Sequence, residues 1–131
     1  MGTWGAGGFE NDDAGDWVWE LAEAEDTLIL EEAFSRVLEA EDEPEASDCM
    51  IAIAAAEVVA ALRKRPSAKP PDEVVEYVTR IGAAPSPELV QSALEATKRI
   101  QKKSELQELW DESEGRAEWD KSIEELEGRL R

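Results

Sequence analysis

Between Cys49 and Leu62 the chain reads Cys-Met-Ile-Ala-Ile-Ala-Ala-Ala-Glu-Val-Val-Ala-Ala-Leu, fourteen residues with Glu57 as their one charge. Alanine-rich and without strand alternation, this stretch favours helix. A helix that is apolar around nearly its whole circumference must be enclosed by other elements. It is too short for a bilayer, which needs about 20 residues, so it predicts the central helix of a bundle. That helix is expected over about 45–64, with Pro44 suited to its first turn. Arg63, Lys64 and Arg65 end it and complement the helix dipole.

The rest of the chain reads as helices around that one. Asn11 or Asp12 can cap a first helix, and Asp12, Asp13 and Asp16 sit where the dipole favours negative charge. Ala14, Trp17, Val18 and Leu21 form its inward face, while Trp19 lies about 200° round from Trp17. Thr27 opens a second helix with Leu28, Leu30, Ala33, Phe34, Val37 and Leu38 as apolar contacts. The acidic stretch 39–45 is a linker. After the loop Pro66–Pro71, a fourth helix over about 72–81 carries Val74, Val75, Val78 and Ile81, with Gly82 as its end cap. Ser86-Pro87 starts a fifth, whose apolar spacing runs on through Leu106, Leu109 and Trp110. Gly115 interrupts before a last helix bearing Trp119, Ile123, Leu126 and Leu130. The expectation is all-α: one domain, 1–131, a compact bundle of about six helices. The glycine-rich residues 1–10 carry Trp4 and Phe9, each ring able to bury roughly 150–250 Å², so this loop is expected to pack on the bundle.

Composition excludes much chemistry. Histidine is absent, which removes His-based nucleophile systems, neutral-pH imidazole catalysis and imidazole metal ligands. The lone Cys49 cannot form an internal disulfide or a zinc or iron–sulfur site, and a buried, inert thiol is expected. No secretory leader is recognisable in residues 1–20, which favours the cytoplasm. The net charge of −18 is lopsided: residues 1–62 hold 17 acids and one base, Arg36, whereas residues 63–131 hold 15 acids and 13 bases. A field of this sign repels nucleic acid and anionic lipid and attracts basic protein surfaces.

Candidate sites are few. The loop Gly2–Gly8 lacks the Gly-Lys-Ser/Thr of a phosphate cradle and a preceding strand. Asp12, Asp16 and Glu20 share a helix face and are the candidates for a hard cation such as Ca²⁺ or Mg²⁺, although the EF-hand offsets fail. No carboxylate pair is marked for acid–base work, so no catalytic residue is assigned and no cofactor is expected. Lys98, Arg99, Lys102 and Lys103 make a basic stripe suited to pairing with the acidic half or to solvation. Trp110 and Trp119 fall at core positions. Trp19 is flanked on its face by Asp12, Asp16 and Glu23, an aromatic among acids that suits a partner's Lys or Arg; packing on the amino-terminal loop or second helix is the other reading.

Three stretches carry a family resemblance: Met-Gly-Thr-Trp-Gly-x-Gly-x-Phe-x-Asn-Asp-x-Ala-x-Asp-Trp at the start, Ala56-Glu-Val-Val-Ala-Ala-Leu-Arg63 with the proline-rich loop, and Ser104-Glu-Leu-Gln-Glu-Leu-Trp-Asp-Glu-Ser113 followed by Trp119 and the final Leu-Arg. Together they resemble the bacterial domain-of-unknown-function family numbered 4259. The resemblance implies a compact helical protein and no particular activity. Trp19 and the dense acids over 39–48 depart from the family pattern. The leading functional expectation is a non-enzymatic module that binds a basic protein partner, in an immunity-like or nucleic-acid-mimicking form. The alternatives are a carboxylate-based enzyme or divalent-metal protein, and acidity that serves only solubility in a salty medium.

Overall fold

The computed structural model describes residues 7–131. Its helices are α1 (Asp12–Leu21), α2 (Leu28–Leu38), α3 (Ala46–Leu62), α4 (Asp72–Ile81), α5 (Pro87–Lys102), α6 (Glu105–Asp111) and α7 (Arg116–Leu130). The fold is all-α. Thirteen of the seventeen α3 residues are buried, and α3 packs against each of the other six helices. All-round apolarity thus becomes a central position. Cys49 is fully buried at its start, and that burial pushes the thiol up to about 12, which suppresses the reactive thiolate.

Local chemistry fixes the ends. The Asn11 side chain accepts from the Ala14 amide at 2.7 Å, and Ser86 Oγ accepts from Leu89 at 3.1 Å. At α2 the N-cap is Thr27, but Asp26 Oδ1 supplies the acceptor, taking the Leu28 amide at 3.0 Å. Gly82 closes α4 at φ 64, a left-handed conformation that glycine adopts without a Cβ penalty.

The expected long fifth helix is two helices. The buried Ser104 breaks it: its hydroxyl donates to the Ile100 carbonyl at 2.7 Å and accepts from the Gln107 amide at 3.0 Å. The break lets Glu105 turn onto the start of α3. Its carboxylate accepts from the Ala46 amide at 3.0 Å, and its own amide donates to the Pro44 carbonyl at 3.1 Å. Pro44 lies just before α3 rather than in its first turn. Among the described residues the bundle therefore has seven helices, close to the six or so that the spacing suggests.

Two other expectations shift. Val75 is half exposed, so Val74 is the inward residue at that point of α4, and Leu28 is 55% exposed rather than a core contact. Tyr77 occupies the α4 core; its hydroxyl donates to the Asp26 carbonyl at 2.6 Å, and burial raises its pKa to about 12. Trp110 and Trp119 are buried and stacked, with ring centroids 6.3 Å apart.

Of the expected packed loop, Gly8 is buried and Phe9 packs on the core. A Cβ on Gly8 would stand 2.8 Å from Glu57 Cγ and 3.2 Å from Ile53 Cγ2, so only glycine allows the loop this close to α3. Trp4 lies outside the described residues.

Candidate functional site

The cations of the second half could have neutralised the acids of the first. Mostly they do something else. The Arg80 guanidinium donates to the carbonyls of Leu21, Ala22 and Ala24 at 2.8–3.2 Å, closing the end of α1. Arg99 donates to Val37 at 2.7 Å, Leu38 at 3.0 Å, Ala40 at 2.7 Å and Asp42 at 3.0 Å, all carbonyls at or beyond the end of α2. Helix ends leave such carbonyls without intrahelical donors, and their partial negative charge favours a cation. Arg63 similarly donates to the Arg131 carbonyl at 3.1 Å.

Among the described residues, only Glu43, Asp48 and Glu57 of the 17 acids in the first 62 positions stand within 4.0 Å of a cation. The Asp48 partner is Arg36, from the same half, at 3.8 Å. The carboxylates of α1 and α2 thus face solvent without neutralising partners, and the basic stripe on α5 is broken up. Arg99 turns inward to the end of α2, Lys103 reaches Glu43 at 3.9 Å, and Lys98 is exposed. Nearby, Glu43 pushes the exposed Glu108 carboxyl above the usual range.

One pair is buried. Arg129 donates to Glu57 through two nitrogens, at 2.8 and 3.2 Å, and also to Glu125 and the Arg65 carbonyl. Burial lifts the Glu57 carboxyl above the ordinary range, and the guanidinium opposes that lift only in part. Burial disfavours the Arg129 charge, but hydrogen bonds to Glu57 and Glu125 outweigh it and raise its pKa. The Glu57 side of this pair lies against Gly8.

Trp19 is 72% exposed and stands outside the core of the described residues. Asp12, Asp16, Glu20 and Glu23 are exposed as well. At about 100° per residue, Asp12 and Asp16 fall within roughly 60° of Trp19 around the helix axis, so they share its face; Glu23, expected on that face, lies in the turn beyond the α1 C-cap Ala22, where helical spacing no longer places it. Among the described residues, no group of three or more acidic or cysteine side chains is close enough to hold a metal ion. Asp12, Asp16 and Glu20 therefore share a face without forming a ligand cluster.

A cleft of about 330 Å³ runs between α1, α2 and α3. Trp17, Ile29, Ala33 and Ile51 give it an apolar lining; Glu20, Asp26 and Glu32 carry exposed carboxylates around it. Leu28 and Arg36 lie at opposite ends of its α2 wall. Trp17, not Trp19, lines it. Sequence reasoning missed this cleft, whose α2 positions 28, 29, 32, 33 and 36 recur at helical spacing and form one stripe.

The model of the family described as Domain of unknown function (DUF4259) matches residues 2–122. The chain belongs to that family. The DUF4259 match spans α1 to α6 and ends within α7, so the Trp19 face and the cleft both lie inside it. No curated protein and no solved structure matches the chain. Among the described residues, no helix is long and apolar enough to cross a membrane.

Proposed function

We propose that this DUF4259 protein is a non-enzymatic interaction module whose α1–α2 face binds a basic surface of another protein. The observation that carries the reading is the absence of charge pairing on that face among the described residues: three acids of 17 have a cation partner, while Arg80 and Arg99 are held on helix-end carbonyls. Unpaired surface carboxylates repel one another and weaken the compact state. A basic partner relieves that repulsion and gains long-range steering from it. Trp19 supports the same reading. An exposed indole beside carboxylates favours a Lys or Arg head by about 0.5–1 kcal/mol through the ring face, with the acids adding attraction. Shielding a basic nucleic-acid-binding surface, as an immunity protein or nucleic-acid mimic does, is one concrete form.

The test is titration of the protein against a labelled Lys/Arg-rich peptide, followed by fluorescence anisotropy, at about 0.01 and 0.15 M salt, where the Debye length shrinks from about 30 to 8 Å. Binding should weaken at least about tenfold at the higher salt, and Trp19→Ala should weaken it further. Salt-insensitive binding, or none at low salt, would overturn the proposal.

A further inference from the structure

We infer that the cleft between α1 and α2 is an anchor pocket for one apolar side chain of a Lys/Arg-rich segment of a partner protein. This rests on the reading of the acidic face as a docking surface and adds what that surface selects. Charge alone would accept any cationic chain. The cleft adds shape: about 330 Å³, near the lower end of the roughly 300–1,000 Å³ of small-molecule sites. That is ample room for one large apolar side chain. The apolar part of its lining comes from Trp17 and Ala33, themselves buried, and from the half-buried Ile29 and Ile51. Leu28, 55% exposed at its edge, is surface that an inserted side chain would cover. Helices that dock in grooves do so through anchors of this kind.

Charge complementarity sets what flanks the anchor. Glu20 on α1, Asp26 in the turn and Glu32 on α2 surround the apolar lining with exposed carboxylates. A Leu or Phe seated there is flanked by positions that favour Lys or Arg on both the α1 and α2 sides. Arg36, the one cation of residues 1–62, stands at the far end of the α2 wall. Its side chain is 66% exposed, and its contact with Asp48 is long, at 3.8 Å. It disfavours a Lys or Arg at that end, so a basic segment gains a preferred direction along the cleft.

Two helical Lys/Ala peptides of about 15 residues distinguish this from charge alone. One carries a single central Leu and the other Ala at that place, and each is titrated against the full chain at low salt. The Leu peptide should bind at least about tenfold tighter, and Leu28→Ala, at a half-exposed position, should shrink that advantage. Equal binding by both peptides would overturn the anchor pocket while leaving the acidic docking face standing. A Leu advantage untouched by Leu28→Ala would place the anchor elsewhere and also overturn it. If neither peptide binds, the docking face falls too. A dimer seen by sedimentation without peptide, and abolished by Leu28→Ala, would assign the cleft to a second copy of the chain and overturn the inference.

Discussion

Replacing Arg129 with methionine would leave Glu57 as a buried carboxylate with no cation. The side chains are 15% and 5% exposed, so water cannot readily substitute for the two hydrogen bonds at 2.8 and 3.2 Å. Breaking a buried ion pair from one side costs about 3–5 kcal/mol, a large share of the roughly 5–15 kcal/mol that holds a typical domain together. Replacing both partners behaves differently, because the desolvation of both charges disappears with them. Glu57→Met with Arg129→Met should be near neutral or up to a few kcal/mol more stable than the parent. Methionine suits position 57 because it is unbranched at Cγ, the atom against which the Gly8 backbone packs. Urea unfolding followed by far-ultraviolet circular dichroism measures both effects. The sign with pH also follows. Burial holds the folded-state pKa of Glu57 above its ordinary 4.5, so its penalty is present above the folded pKa and fades as pH falls through it. Removing Arg129 takes away the group that holds this pKa down, so the single variant should recover towards the parent as pH drops from neutral towards 4.5. A single-variant loss under about 1 kcal/mol at neutral pH, or a double variant no more stable than the single, would refute this account of the pair.

Two further outcomes follow from the charges. Arg99→Met removes donors from four carbonyls at the end of α2 and should cost about 2–4 kcal/mol, read as a lower urea midpoint with the α2 end losing amide-exchange protection first. Arg36→Glu removes the lone cation of the acidic half and frees Asp48, so low-salt affinity for a Lys-rich peptide should rise several-fold, measured by anisotropy.

Legibility followed the range of the interaction. Asn11 and Ser86 cap helices with their own hydroxyl or amide oxygens three residues on, and α3 announces its central place by having no polar side. Helical angle alone sets Trp19 off the inward face, and it is exposed. The break at Ser104 does not show in the apolar pattern, because 3-4 spacing continues across it. The Ser-Glu-Leu-Gln run, with a hydroxyl three residues before a glutamine, was the available cue. On α4, which has one inward face, Val74 shares that face with Tyr77 three residues on, and the adjacent Val75 is turned about 100° away from it. The Arg80 and Arg99 contacts span 56 to 62 positions of chain; nothing local marks an arginine as bound for a distant carbonyl rather than a carboxylate. The cleft escaped notice for the same reason: Ile51 meets α1 and α2 only after the bundle closes.

The arginines that finish α1 and α2 impose an order of completion on the polypeptide. The carbonyls of Ala22 and Ala24 receive the Arg80 donors only when position 80 is present, and those of Val37, Leu38, Ala40 and Asp42 wait for position 99. A ribosome that has released only the first seventy residues therefore exposes two strongly acidic segments with open carbonyl ends. The anionic half becomes a finished surface only after the nearly neutral half has emerged to close it.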